Sequence, residues 1–252
     1  MDFTGKNVLI TGGSRGIGKA TALAFAKRGA KVAINFRSDK EAAKQTAQEM
    51  QGDDHIIVKA DISKPNAVEA LVNAVVNEFG SLDIVVNNAG IYAPHPLAST
   101  NYKEWQSTWK KTMDINLFGA ANVCYCAGQQ MIKQGGGRIV NVSSRGAFRG
   151  EPQHSAYGAS KAALNAMSQS LAQELAPHQI FVGIIAPGFV ETDMAKEILD
   201  SEVGEGIRNQ SPLKRVAQPE EVAYGILFLA SEGSEFMTGT ILDINGASYL
   251  RS

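Results

Sequence analysis

The chain has 252 residues, 44% hydrophobic and 19% charged, which suits one large domain with a substantial buried core and excludes a disordered chain. Lys and Arg number 24 against 25 Asp and Glu, and a net charge of -1 offers no broad basic footprint for nucleic acid or an anionic membrane. Cys124 and Cys126 stand two apart, about 200° around a helix, so they do not pair and no disulfide framework or metal site is expected. The start, Met1 to Lys6, lacks the apolar region of a signal peptide, and the longest apolar run, near Ile226 to Ala230, is too short to span a membrane. The expectation is a cytoplasmic protein with a single domain over residues 1–252.

From the first residues, short β-rich runs alternate with helical patterns, the signature of βαβ units around a parallel sheet. A strand is expected over 7–11, then a glycine-rich turn and a helix over 17–28. Strands at 31–36 and 55–59 are followed by helices at 39–50 and 65–79, with Ser63 as an N-cap, Pro65 in the first turn, and Gly29 and Gly80 as helix stops. A strand at 84–87 and a helix at 113–134 come next, then a glycine turn at 135–137 and a strand at 138–142. A helix at 156–176, a strand at 181–185, a helix at 219–231 and a strand at 240–244 complete the pattern. The segment 193–215 is less regular and reads as a mobile cover. The expected fold is α/β: a Rossmann-type, doubly wound, seven-stranded parallel sheet with helices on both faces. Such a sheet binds ligands beyond the carboxyl ends of its strands, so chemistry is sought just after each one.

The first strand runs into Thr11-Gly12-Gly13-Ser14-Arg15-Gly16-Ile17-Gly18. Glycines there allow a tight turn and let a pyrophosphate approach backbone N–H groups at the positive end of a helix. After the third strand, Asp61 is placed to accept from an adenine amino group, or to cap the next helix. After the fourth, Asn87-Asn88-Ala89-Gly90 lets a flat ribose or ring lie against the backbone, or forms a polar turn. Tyr157 and Lys161 stand one helical turn apart, so a phenol and an ammonium point together, and a nearby cation lowers a phenol pKa from its usual ~10. Ser144 ends the strand at 138–142, where its hydroxyl can reach a substrate oxygen. Asn116 falls within a predicted helix, where an amide has mediocre propensity.

Together, the phosphate loop, Asn87 to Gly90, Asn116, Ser144 with Tyr157 thirteen residues later, Lys161 four after that, and Pro187-Gly188 resemble the short-chain dehydrogenase/reductase family over almost the whole chain. The resemblance implies that Tyr157 exchanges the proton, Lys161 holds the nicotinamide ribose and depresses the tyrosine pKa, Ser144 orients the carbonyl, and Asn116 supports a relay water. It also implies a nicotinamide cofactor held by Gly12, Ser14, Arg15, Gly16, Ile17, Gly18, Asp61, Ile62, Asn88, Ala89, Gly90, Ile91, Pro187, Gly188, Val190 and Thr192. The three residues between Gly12 and Gly16 fit the compact single-domain branch, and the Tyr157 to Lys161 spacing differs from the longer gap typical of the family's enoyl reductases. Arg37 and Ser38, after the second strand, and Arg15 suit the 2′-phosphate of NADPH better than an acid would, with Asp39 assigned to the start of the next helix.

The body of the chain most resembles 3-oxoacyl-acyl-carrier-protein reductases, implying a ketone reductase, with a polyol or sugar dehydrogenase as the alternative. A catalytically silent dinucleotide-binding sensor is the non-enzyme alternative. Where those reductases carry carrier-binding arginines this chain has Gly135 and His178, with Lys133 nearby, so docking of an acyl carrier protein stays an open question. Asn245-Gly246-Ala247 replaces a more usual Asp-Gly-Gly ending. Arg145, Glu151 and His154 are candidates for reading hydroxyls or a carboxylate. Trp105 and Trp109 share a helical face and read as core or interface. A homotetramer is expected, usual for the family and supported by two adjacent stripes on the helix at 156–176: Leu164, Met167, Leu171, Leu175 and the small-sided Ala159, Ala162, Ala163, Ala166.

Overall fold

The first strand, β1 (Asn7–Thr11), is buried at every residue, as a central strand covered on both faces must be. A computed structural model describes residues 1–251. Around β1, the strands β2 (Lys31–Phe36), β3 (Ile56–Lys59), β4 (Ile84–Asn87), β5 (Gly137–Val142), β6 (Ile180–Pro187) and β7 (Ile241–Ile244) form one parallel sheet in the order β3-β2-β1-β4-β5-β6-β7. The chain therefore steps outward from β1 to β3, then restarts on the other side of β1 at β4. That reversal opens a crevice between the loops after β1 and β4, the place where such sheets bind ligands.

Alternating side chains build a core on each face. Val8, Ile10, Ile34 and Val86 pack under α1 (Gly16–Ala26) and α10 (Pro219–Ala230), with Phe25 and Ile226 fully buried. Leu9, Val85, Ile139 and Val182 face the opposite way, under α3 (Pro65–Phe79), through Val68, Leu71 and Val75. Two later helices, described next, complete that side.

Three stretches differ from the sequence expectation. A helix, α4 (Tyr102–Met113), precedes the one expected at 113, capped by the Asn101 side chain, which accepts from the Glu104 N–H at 3.0 Å. It runs through a π-helical turn, Asp114–Gly119, into α5 (Ala120–Gln134). A short α6 (Gly146–Arg149) precedes the long α7 (Ser155–Leu175), and the expected irregular cover holds two short helices, α8 (Asp193–Leu199) and α9 (Gly204–Asn209). Ser63 is not a cap: Lys64 takes that position, and the Ser63 hydroxyl donates to Asp61 at 2.8 Å. By contrast, Asp39 does cap α2 (Lys40–Glu49), accepting from the Ala42 N–H at 3.0 Å. At the far end, Gly246 and Ala247 are both left-handed, at φ 57° and 56°, so Ala247 holds a conformation that suits glycine. Among the described residues no helix is long and apolar enough to cross a membrane.

Candidate active site

The loop after β1 works because its glycines remove side chains from a crowded turn. Gly12 and Gly16 are left-handed, at φ 63° and 54°, and a Cβ on Gly18 would stand 2.3 Å from the Gly12 carbonyl oxygen. Asn88, after β4, closes the turn from the other side: its side-chain amide donates to the Thr11 and Gly12 carbonyls at 3.1 and 3.0 Å. The Thr11 hydroxyl in turn accepts from the Asn88 and Ala89 N–H groups, each at 3.1 Å. The result is a cavity of about 590 Å³ along the carboxyl edge of the sheet.

Of the sequence-predicted site residues, all but Gly18, Asn87, Asn116 and His154 line this cavity, Gly18 and Asn116 among them being predicted cofactor or catalytic groups. Those two stand behind it as supports. At the β2 end, Arg37 and Ser38 are exposed, and Arg15 pairs with Asp39 across 2.7 Å. Asp61 also lines the cavity, and it accepts from the Ser63 N–H and hydroxyl just ahead of α3 rather than capping that helix. Burial works against its charge, but those Ser63 bonds and the Arg37 charge hold its carboxyl below the usual range.

At the other end, β5 and α7 bring Ser144, Tyr157 and Lys161 together. The Lys161 ammonium is buried, donates to the Val142 carbonyl at 2.7 Å and lies 5.8 Å from the centre of the Tyr157 ring. Burial pulls its pKa down to about 8. Burial also raises the Tyr157 phenol, the Ser144 hydroxyl partly reverses this, and Glu151 adds to the rise. The net direction for the Tyr157 phenol is upward, set first by its desolvation.

Asn116 is 1% exposed, not a solvated helix amide. It sits in the π-helical turn, its oxygen accepting from the Ile91 N–H at 2.8 Å and its amide donating to the Ile91 carbonyl at 3.0 Å and to Ser160 Oγ at 3.2 Å. Ser160 passes the contact on, donating to the Tyr157 carbonyl at 2.7 Å. Both amide hydrogens are thus committed to protein, which makes Asn116 a strut between the β4 loop and α7.

The loop between Ser144 and Tyr157 divides its roles differently from the sequence expectation. Arg145 borders the cavity, but its guanidinium is engaged by the protein: it donates to Ser248 Oγ and Gln210 Oε1 at 2.5 and 2.6 Å and lies over the Phe189 ring, tying α9 and the C-terminal turn to the site. His154 stacks on Tyr92 with ring centres 3.7 Å apart. Tyr92 in turn meets Tyr157 edge to face at 4.8 Å. Burial pushes the Tyr92 phenol up to about 12, with Glu151 adding to it, so it is a neutral aromatic wall. Sequence reasoning missed Tyr92, although its place two residues after Gly90 was a usable signal. Glu151 remains the free polar group, its side chain 11% exposed and its nearest cation, Arg149 Nε, 4.0 Å away.

Residues 12–247 match the family described as Enoyl-(Acyl carrier protein) reductase. The chain is 37% identical over 247 residues to a 3-oxoacyl-(acyl-carrier-protein) reductase FabG of Staphylococcus aureus (strain Mu50 / ATCC 700699), covering 97% of this chain and 98% of the relative. It is 40% identical over 244 residues to the FabG of Chlamydia muridarum (strain MoPn / Nigg), covering 96% of each. Its structure superposes with a TM-score of 0.88 on a short chain dehydrogenase from Burkholderia cenocepacia J2315 in complex with NADP, at 33% identity over 98% of this chain and 99% of the other. The family match over residues 12–247, the identity to these relatives over almost the whole chain and the shared fold show that the chain belongs to the short-chain dehydrogenase/reductase family.

Proposed function

We propose that the protein is an NADPH-dependent oxidoreductase that interconverts a ketone and a secondary alcohol. The observation that carries this is the meeting of Tyr157, Ser144 and Lys161 at one end of a cavity whose other end is lined by Arg37, Ser38 and the glycine turn. The residues present suit a dinucleotide: Gly12, Ser14, Gly16 and Ile17 would hold its pyrophosphate at the start of α1, backed by Gly18, whose missing Cβ keeps the turn tight. Asp61 and Ile62 would hold the adenine, Asn88, Ala89 and Gly90 the middle of the cofactor, and Pro187, Gly188, Val190 and Thr192 the nicotinamide. When bound, the cofactor supplies or accepts the hydride.

The remaining chemistry belongs to the chain. As hydride adds to a ketone, negative charge grows on its oxygen and a proton must arrive. The Tyr157 phenol, held protonated by burial, supplies that proton at neutral pH, and the Ser144 hydroxyl fixes the oxygen beside it. Lys161 keeps a positive charge behind the phenol and reaches the ribose. Alcohol oxidation uses the same groups in reverse and needs the phenolate, so its rate rises with pH.

A 3-oxoacyl thioester is the leading substrate class, supported by the named activity of the relatives. One observation favours a polyol or hydroxyketone as the second reading: the Glu151 carboxylate lines the cavity without a hydrogen bond from any described donor, and a substrate hydroxyl would satisfy it. Gly135 and His178 lie just before β5 and β6, at the sheet edge opposite the cavity, so they offer no charge for a carrier protein near this site.

A homotetramer is part of the proposal. Ala159, Ala162 and Ala166 form an exposed small-sided stripe on α7, and Phe118, Tyr125, Phe236 and Met237 are exposed large apolar side chains. We place the protein in the cytoplasm, where its two cysteines stay free thiols.

Four measurements test these assignments. Tyr157→Phe lowers kcat by about 10²- to 10⁴-fold with NADPH affinity unchanged, whereas Lys161→Ala weakens both; a Tyr157→Phe enzyme with most of its kcat ends the mechanism. Wild-type kcat/KM is higher with NADPH than NADH, and Arg37→Ala cuts the NADPH value about tenfold or more, the loss of one charge-assisted contact. A panel of 3-oxoacyl thioesters, hydroxyketones and polyols, followed by nicotinamide absorbance, ranks thioesters first; a loss confined to hydroxylated substrates in Glu151→Gln selects the second reading, and tight NADPH binding without any turnover selects a sensor. Light scattering gives four times the 26.9 kDa chain mass, and a concentration-independent monomer rejects the tetramer.

A further inference from the structure

Catalysis in this reading depends on where the first turn of α7 holds Tyr157, yet that helix has no cap of its own. His154 occupies the cap position without a side-chain bond to the helix, its Nδ1 lying 3.0 Å from the Pro152 carbonyl instead, and the chain enters through Gly150 and Gln153, both left-handed, at φ 71° and 65°. The missing acceptor comes from 61 residues away: the Ala156 N–H donates to Nε2 of His95 at 3.1 Å. His95 lies in the loop after β4, 2% exposed, with Ser155 Oγ 3.0 Å from the same nitrogen and the Ala93 carbonyl 2.9 Å from Nδ1. Its backbone N–H donates to the Gln153 carbonyl at 2.8 Å, and Trp109 of α4 meets the ring edge to face at 6.4 Å.

These bonds allow one arrangement of protons. A backbone N–H only donates, so Nε2 must present its lone pair; a carbonyl only accepts, so Nδ1 must carry the hydrogen. The ring is therefore a neutral imidazole that caps the helix end on one side and is anchored on the other. A cation there would lose the acceptor and face the positive end of α7.

We propose that His95 is a positioning residue for Tyr157, rather than a group that touches substrate. The β4 loop that carries it also holds Asn116 through Ile91, and Asn116 reaches Tyr157's own carbonyl through Ser160. The loop thus grips α7 at two points, on either side of Tyr157 in sequence, and sets the phenol's distance from the nicotinamide side of the cavity. Loosening one grip displaces the proton donor without disturbing Arg37 or the glycine turn. An error of about 1 Å in a reacting group costs roughly 10²-fold in rate.

The inference rests on Tyr157 as the proton donor, and its test separates the two. His95→Phe keeps an aromatic ring and removes the acceptor, whereas His95→Gln returns a polar acceptor near the place of Nε2. The expected result is a kcat about 10- to 100-fold lower in His95→Phe, with the Kd for NADPH within about threefold of wild type by fluorescence titration, and recovery of most of that loss in His95→Gln. A His95→Phe enzyme within about twofold of wild-type kcat, or equal losses in both variants, overturns the proposal. Two-bond ¹H–¹⁵N spectra of histidine-labelled protein provide a readout free of activity and of variant folding. With four histidines to assign, the His95 signals are expected in the neutral pattern with the proton on Nδ1 at neutral pH. The opposite tautomer, or an imidazolium, defeats the proposal even where Tyr157→Phe behaves as expected.

Discussion

The site hangs on the lock between Thr11 and Asn88. These residues end β1 and follow β4, the two strands between which the chain reverses its direction of travel across the sheet. The Thr11 hydroxyl accepts two N–H groups from the β4 loop, and the Asn88 amide returns two bonds to the β1 loop. Without such ties two irregular loops would meet with unpaired backbone groups, at a cost of about 1–3 kcal/mol for each one buried. With them, the crevice that doubly wound sheets leave open becomes a rigid wall. The glycine turn on one side and the catalytic groups on the other then keep a fixed separation.

A buried polar ladder continues this logic beneath the catalytic end. Asn87 donates to Asn141 across the β4 and β5 pair at 2.8 Å, and Asn141 donates to Ser168 of α7 at the same distance. Parallel central strands are normally near-continuous apolar runs, so amides inside them are a local concession. What they provide is direction: a hydrogen bond fixes the rotation of α7 against the sheet, which apolar contacts alone do only loosely. That rotation aims Lys161 at the Val142 carbonyl.

Most of this frame was legible in the sequence because it rests on backbone rules. Alternating runs and helix stops define six of the longer helices and all seven strands, and the glycine spacing defines the turn after β1. The miss at α4 is physical. Its exposed residues, Lys103, Glu104, Lys110 and Lys111, dilute the apolar pattern, and only Asn101 with Glu104 three residues later marked a start. The site residues found by motif all border the cavity or stand directly behind it. Roles set by tertiary contact were not legible: Arg145 reads as a ligand group until Ser248 and Gln210 occupy it, and His95 is one unmarked residue in a loop until α7 arrives without a cap. No spacing rule encodes a bond between residues 61 apart.

The catalytic end is also where the fold works against its own stability. Burial shifts the Lys161 pKa from 10.5 to about 8, and one pKa unit is worth about 1.4 kcal/mol, so holding this ammonium charged costs about 3 kcal/mol at neutral pH. Between pH 8 and 10.5 the unfolded chain binds the proton more readily, so this cost is complete below the folded pKa, fades across that window and is gone above the unfolded pKa. Apolar repacking would remove the penalty, but it would also remove the cation behind Tyr157. One of the three ammonium hydrogens has a described protein acceptor, the Val142 carbonyl, and the other two are left to partners at the cavity that Lys161 lines. A ligand that fills those bonds restores part of the lost solvation, which raises the lysine pKa and stabilises the fold in the same step. In the proposed function, the desolvated charge that costs the fold stability is therefore also the one that links ligand binding to the surroundings of Tyr157.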